Sequence, residues 1–463
     1  VRATLDANTP PNVGRVTARR LNKTEYNNTI RDLLGVDFKP AEDFPADDVG
    51  YGFDNIGDVL SVSPLLLEKY LSATESILDQ AIVVTQPLKP AKVSVGALRL
   101  PATISGGEMG GLASFEDGDY TLRVRLGTNQ TGRGTLRAML RLDGKDVKEF
   151  SVKASADAPA WFETKLRMKP GTQRLTVAFL NPANGTQLNI QELEVEGPFN
   201  PAPPKYPPVH VRLMAHKAGE TPREAAKEIV ARFATKAFRR PLQAGEVEQC
   251  LAFFDASQKR GEQFEEGVRA ALYRVLMSPN FLFRIELDPA GVQDGASYAV
   301  SEYELASRLS YFLWNSMPDD ELFALAAKGQ LRRNLVGQVQ RMVKDPKSGS
   351  FLQNFCQQWL TLAKLDLVSP DPVIFPAFDK ELQQAMLKES DLFFEAIARE
   401  DRSVLELLDG NFTFVNEPLA KLYGIEGIEG EGFVRVKAPP HRGGVLTLAG
   451  VLALNSNDTR TSP

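Results

Sequence analysis

From residue 17 onward, apolar positions recur at helical spacing. Leu21, Tyr26, Ile30, Leu33 and Leu34 can share one broad helix face, and Gly35 ends the run as a left-handed cap, with Thr24 near its start. Pro64 stands where a second helix opens, and Leu67, Leu71, Ile77 and Leu78 give that helix a stripe running to about Ala81. Thr74 is one polar interruption on it. At residue 83 the texture changes, and from about 92 to 197 the period is two. Tyr120, Leu122, Val124 and Leu126 alternate with polar neighbours, as do Leu136, Ala138, Leu140 and Leu142, and Leu175, Val177 and Phe179. Turn dipeptides separate these runs at Asp117-Gly118, Asp143-Gly144, Pro170-Gly171 and Asn184-Gly185. The expectation is an all-β domain of two packed sheets.

The run PFNPAPPKYPP at 198–208 is a stiff linker. Beyond it the period returns to helical as far as about residue 425. Ile229, Val230, Phe233 and Ala237 fall on one face, Ser301 with Glu304 forms a capping box, and Asp319 to Glu321 bring acidic charge to a first turn. The tail from 430 holds a strand-like FVRV, a short apolar segment and a polar end. The pattern therefore predicts an α+β chain, mainly a helical array with one inserted antiparallel β-sandwich. Its expected divisions are a helical domain at 17–82, the sandwich at 83–198, the linker at 199–209, helical domains at 210–290 and 291–405, and a mixed C-terminal domain at 406–463. Residues 1–16 read as an extended lead-in.

A chain of 463 residues is too long for one core, in line with that division. The net charge of −5 argues against a nucleic-acid partner, which needs a concentrated basic face. No apolar run approaches the ~18–20 residues that span a bilayer, and the opening VRATLDANTP has no apolar signal core. Cys250 and Cys356 sit in helical patterns as small apolar residues, with one disulfide between them as the alternative. There is no C-x-x-C-H, so the chain attaches no haem covalently. His210, His216 and His441 form no H-x-H or H-x-x-x-H pair, so a histidine metal centre is not expected.

The least generic stretch is FPADDVGYGFDNIGDVLSVSP, Phe44 to Pro64. It carries Asp47, Asp48, Asp54 and Asp58 among Phe44, Tyr51 and Phe53, and reads as an ordered loop between two helices. Asp47, Asp48 and Asp54 are candidate calcium ligands, and also candidate catalytic carboxylates for acid–base work on a glycoside. Turn chemistry explains the same composition without a ligand, because Asp side chains bond nearby backbone and glycine supplies positive φ. A second cluster comprises His441-Arg442-Gly443-Gly444 and Asn457-Asp458-Thr459-Arg460. There His441 and Arg460 are the candidate catalytic residues, able to hold an anion or a haem propionate, while a glycine-pair turn is the plainer reading. Trp161 is a candidate sugar-stacking ring, although a sandwich more often buries its tryptophan. Trp314 and Trp359 read as core. No dinucleotide fingerprint, Walker loop or G-x-S-x-G elbow occurs.

The run RRLNKTEYNNTIRDLLGVDFKPAEDFPADDVGYGFDNIGDVLSVSP resembles the opening domain of a family of multi-domain proteins abundant in planctomycetes and related soil bacteria, in which domains of unknown function follow one another. FATKAFRRPL with MSPNFLFRIE resembles the next domain, and SEYELASRLSYFLWNSMPDDEL, FLQNFCQQWL and FPAFDKELQQAMLKES the one after. NFTFVNEPLAKLYGI with HRGGVLTLAGVLALNSNDTRTSP resembles the fourth. The chain stops within what resembles the family motif at Thr459 to Pro463, which implies a trimmed or processed piece. The sandwich is similar to a calcium-dependent, xylan-binding type of carbohydrate-binding module, on DGDYTLRVRLGT, RLDGKDVKEFSV, KPGTQRLTVAFLN and IQELEVEGP. Where that type has an aspartate or similar ligand near its last strand, this chain reads Asn189-Ile190-Gln191-Glu192, which weakens a calcium site.

Family members often carry a c-type cytochrome domain. The resemblance thus implies a secreted or periplasmic component of a cytochrome-linked redox system acting on polysaccharide, its haem held by another domain or a partner. A non-catalytic carbohydrate-binding or scaffolding protein is the rival expectation. A glycan-cleaving enzyme using the Asp47/Asp48/Asp54 loop is a third.

Overall fold

The structure, a computed structural model, describes residues 18–85, 88–95, 101–129, 135–183, 185–289, 291, 296–457 and 460–461. The lead-in at 1–16, Asn184 of one expected turn, and Asp458, Thr459, Ser462 and Pro463 lie outside the described residues. The chain forms two compact units, Thr85–Tyr206 and the remainder, Val1–Val84 with Pro207–Pro463. The architecture is α+β, a helical array carrying one antiparallel sandwich.

In the helical unit, strand β1 (Arg19–Arg20) leads into α1 (Lys23–Leu34). Asn22 caps α1, with Thr24 in its first turn: the Asn22 side chain accepts from Glu25 N while Glu25 accepts from Asn22 N. Gly35 ends the helix at φ 65° and donates to Arg31 O, the left-handed cap expected of it. Helix α2 (Pro64–Ala81) starts at Pro64 behind Ser63, whose hydroxyl accepts from Leu66 N. Its buried stripe is Leu66, Tyr70, Ala73, Thr74, Ile77, Leu78 and Ala81. Leu67 and Leu71, expected on that stripe, are exposed. The run Pro-Leu-Leu-Leu has no phase of its own, and Tyr70 and Ile77 turn Leu66 inward at i, i+4 and i+11. Thr74 lies inside after all, donating to Met277 Sδ.

The sandwich consists of β2 (Ala91–Ser94), β3 (Ala102–Ile104), β4 (Gly107–Phe115), β5 (Gly118–Thr128), β6 (Leu136–Leu142), β7 (Lys145–Val152), β8 (Ala160–Met168), β9 (Gly171–Phe179) and β10 (Leu188–Phe199). One sheet runs β2-β10-β5-β8, with β3 also on β10, and the other β4-β9-β6-β7. The alternating residues face each other in the core: Leu122, Val124 and Leu126 from one sheet meet Ala138, Leu140, Leu175 and Val177 from the other. Asp143-Gly144 makes the two-residue hairpin between β6 and β7, both residues at positive φ. The turns at Asp117-Gly118 and Pro170-Gly171 instead carry the chain from one sheet to the other.

The helical unit resumes with α3 (Pro208–Met214), α4 (Pro222–Ala237), α5 (Glu246–Lys259) and α6 (Phe264–Leu276), whose apolar faces join those of α1 and α2 in one core. A single turn at Pro279–Leu282 delivers β11 (Phe283–Arg284), which pairs antiparallel with β1. Then come α7 (Glu302–Trp314), capped by the Ser301/Glu304 box, α8 (Asp320–Ala327), α9 (Leu335–Lys344), α10 (Ser348–Trp359) and α11 (Lys380–Arg399). Strand β12 (Phe412–Val415), α12 (Glu417–Tyr423), β13 (Val434–Lys437), α13 (Ala449–Leu454), β14 (Ser456–Asn457) and β15 (Arg460–Thr461) complete it. Both cysteines are buried free thiols, so the disulfide alternative falls. Among the described residues no helix is long and apolar enough to cross a membrane. His210 is buried and its Nδ1 accepts from Val83 N at 3.1 Å, so the chain leaves α2 and re-enters α3 side by side.

Candidate functional site: an arginine–tyrosine cleft

The Asp-rich loop clasps the start of α1. Asp47 accepts from Arg20 Nη1 at 2.6 Å and from Lys23 N at 2.7 Å, in an ion pair almost closed to water. Arg20 Nε also donates to Ser61 O at 2.7 Å, and Lys23 Nζ to Glu42 O and Phe44 O. Phe44 packs into Tyr26 and Tyr70, and Phe53 stacks on Phe355. Asp54 accepts from Asn22 Nδ2 at 3.0 Å, and its own N–H donates to Gln358. Burial raises the Asp54 carboxyl above its usual range, and the nearby Glu25 and Asp47 carboxylates add to that. Asp48 and Asp58 are exposed, and Tyr51 stands out at positive φ. The loop thus places Asp47 and Asp54 beside α1 and leaves Asp48 outside. Among the described residues no three His, Cys, Asp or Glu side chains gather as a metal-ligand set.

His441 is exposed, in a turn at φ 66°. Arg442 donates to Thr447 O at 2.6 Å and lies 4.4 Å over the Tyr423 ring. Gly444 has positive φ, and a Cβ there would stand 2.4 Å from the Leu408 carbonyl. Beneath this turn Glu389 accepts from Thr413, Tyr423 and Ala449 N. Burial raises its carboxyl despite those donors. Arg460 lies in β15 opposite Asn457, and its side chain is outside the described residues.

The site with uncommitted charge lies at the β1–β11 ribbon, where Arg19 and Arg284 are directly paired positions. Arg19 is matched: it donates to both oxygens of Glu25 at 2.8 and 2.7 Å. Arg239, at positive φ, donates to the carbonyls of Asn280, Phe281 and Phe283 and to the Tyr311 hydroxyl, but to no carboxylate. Arg284 lies 4.9 Å over the Tyr311 ring, and its Nε is shut off from solvent with no hydrogen-bond partner among the described residues. Burial pushes the Arg284 pKa down to about 10, and the neighbouring Arg19 and Arg239 charges oppose it further. Arg284 lines two clefts, of about 480 and 440 Å³, the second also bordered by Arg19, Glu25 and Phe312. From Phe312 an aromatic row runs along α10 through Phe351 and Phe355 to Trp359, with ring centroids 5.0, 5.7 and 5.9 Å apart. Trp359 is 44% exposed rather than core, because α10 turns this row outward, while Trp314 is fully buried with Nε1 on Met342 O.

Three family comparisons match the helical unit: PSD3 (protein of unknown function, DUF1587) over residues 19–83, PSD5 (DUF1595) over 225–286 and PSD4 (DUF1592) over 300–425. The chain carries PSD3, PSD5 and PSD4 domains, in that order. This is the planctomycete-type succession of domains of unknown function that the motifs resemble. PSD3 supplies Arg19 and Glu25 to the second cleft, PSD5 supplies Arg284, and PSD4 supplies Tyr311 and Phe312, while Arg239 of PSD5 lines the first cleft with Arg284.

No curated protein matches the chain. Among solved structures the sandwich is similar to the CBM36-1 domain of a multidomain xylanase from the hindgut metagenome of Trinervitermes trinervoides, at 15% identity and TM-score 0.20, over 24% of this chain and 97% of that one. It is also similar to a carbohydrate-binding module CBM36 in complex with calcium and xylotriose, at 12% identity and TM-score 0.19, over 25% and 93%. A third is the C-terminal CBM6 of LamC from Zobellia galactanivorans, at 13% identity and TM-score 0.19, over 24% and 100%.

Arg239, Arg284 and Tyr311 lie inside FATKAFRRPL, MSPNFLFRIE and SEYELASRLSYFLWNSMPDDEL, runs that carry the family resemblance without marking these three as site residues. The usable signal was an arginine inside an apolar run, since a buried charge is rarely kept without a partner.

On the sandwich, Trp161 is 46% exposed, not core. It faces out because β8 buries Met168 and holds Trp161 laterally opposite Arg125, whose guanidinium lies 5.9 Å from the ring. Arg125 in turn reaches Glu192 at 3.4 Å, and Arg123 reaches Glu163 and Glu196. Asn189 accepts from Gln191 and donates to Thr103. Glu192 of β10 is engaged by Arg125.

Proposed function

We propose that the chain is a non-catalytic glycan-binding protein of the periplasm or cell exterior, and that its sandwich takes the sugar. The observation that carries this reading is Trp161, a large apolar ring held open to solvent on a sheet face otherwise laced with Arg–Glu pairs. Such a ring gives a pyranose an apolar platform, and the flanking arginine and carboxylates offer hydrogen bonds to its hydroxyls. One of the solved modules named above is in complex with calcium and xylotriose. Here the reading rests on Trp161 and its neighbours. The cytochrome-linked expectation is a matter for the haem absorbance spectrum of the full-length gene product.

A glycan array probed with the chain, with and without calcium, tests the proposal. Binding to xylan-type or related β-linked glycans is expected, weakened about tenfold by Trp161→Ala with the unfolding temperature unchanged. A chain that binds no glycan, or a Trp161→Ala variant that binds as well as the parent, would overturn it.

A further inference from the structure

We propose that the cleft between the β1–β11 ribbon and α7 binds an oxyanion — a carboxylate, sulfate or phosphate group — with Arg284 as its principal donor. Two independent observations meet here. The first is the register: Arg19 and Arg284 are directly opposite on a two-stranded ribbon, an arrangement that repels. The second is the bonding. Arg19 is neutralised by Glu25, whereas Arg284 has an unsatisfied, solvent-shielded Nε and, among the described residues, no acidic partner. Arg239, close by, spends its donors on neutral carbonyls and the Tyr311 hydroxyl and so leaves its charge unbalanced.

The acidic residues around the cleft do not supply the missing charge. Glu246 is bound to Arg240, Glu286 to Arg308, and Glu304 caps α7 while accepting from Leu287 N. Among the described residues Arg239 and Arg284 thus pair with no carboxylate, and Glu25 belongs to Arg19. Burying charge without compensation is costly, and a guanidinium that lines a cleft with an N–H left unpaired is the kind of donor a planar or tetrahedral oxyanion takes. Tyr311, against which Arg284 stacks, holds the guanidinium plane in place before the anion arrives. The inference is independent of the sandwich, because every residue named belongs to the helical unit.

Thermal unfolding of the full chain in sodium glucuronate, sodium sulfate and sodium phosphate, each against sodium chloride of equal ionic strength, tests this. A saturable rise in unfolding temperature is expected, and Arg284→Gln should weaken it at least tenfold. Without added anion, Arg284→Gln should unfold no lower than the parent, since it removes a repelling charge. A response to glucuronate alone supports the site as one for a sugar acid, and a response to all three supports a site for a free oxyanion. Sulfate and phosphate also stabilise proteins by exclusion from their surface, so the difference between parent and variant decides. Equal responses in the two, or no response beyond chloride, would overturn the proposal. If Arg284→Gln does not fold, Arg284→Lys serves: it keeps the charge and loses the fork, and an undiminished response to anion would overturn the proposal as well.

Discussion

Asp391, on the buried face of α11, shows how one side chain can set a pH response. Its carboxylate accepts from Gln357 Nε2 at 3.2 and 3.1 Å, yet burial pushes its pKa up to about 6. The folded chain therefore holds a proton there that the unfolded chain releases nearer 3.8. The resulting loss of stability is absent below about pH 4, grows between pH 4 and 6, and is complete above that. Asp391→Asn is accordingly expected to stabilise the helical unit by about 2 kcal/mol at pH 7.5 and by less than about 0.5 kcal/mol at pH 4. Urea unfolding at the two pH values checks it, and a gain of equal size at both would contradict the assignment. The same scale shows what a sequence conceals. The aspartates of the 44–64 loop stood out by composition, but the partners that occupy them, Arg20 for Asp47 and Gln358 for Asp54, lie outside the loop in sequence. Arg284 matters through its register and its missing partner, and neither is a property of the residue type.

At the scale of the element, capping and alternation were legible because they are local. Gly35, Pro64, the Ser301/Glu304 box and the Tyr120–Leu126 alternation all hold where expected. Helix phase was less so, since three consecutive leucines at 65–67 satisfy any phase and the core chooses among them. The choice is measurable. Tyr70→Ala should cost about 3–5 kcal/mol, because Tyr70 is buried against Tyr26 and Phe44. Leu67→Lys should change stability by less than about 0.5 kcal/mol. Chemical denaturation followed by far-ultraviolet circular dichroism compares the two, and a larger loss from Leu67→Lys would mean the helix is turned the other way. Aromatic exposure was the other blind spot. Trp359 lies in an apolar helix whose row of rings faces outward, and hydrophobicity alone does not distinguish a core face from an open one.

At the scale of the molecule, the period changes near residue 83 and a proline run spans 198–208, while the structure divides after Val84 and Tyr206, with β10 reaching Phe199 and α3 starting at Pro208. What no pattern could show is that PSD3, though separated in sequence from PSD5 and PSD4 by the sandwich, shares a core with α4 to α6. A chain in which residues 85–206 are replaced by a short Gly-Ser linker is therefore expected to fold as the helical unit alone. It should keep its anion response and lose glycan binding. Circular dichroism and the thermal titration in glucuronate measure both, and a shortened chain without cooperative unfolding would show the two units to be interdependent.

The hydrogen bond from Val83 N to His210 Nδ1 bears on how such a protein carries tension. The polypeptide departs for the sandwich and returns from it at neighbouring points, so a pull along the helical unit has a shortcut through the packing beside that bond. The inserted residues are then in parallel with that contact, which bears the load while it holds. A force drawing residues 83 and 210 apart is met first by that bond and the packing beside it, before it loads the chain between them.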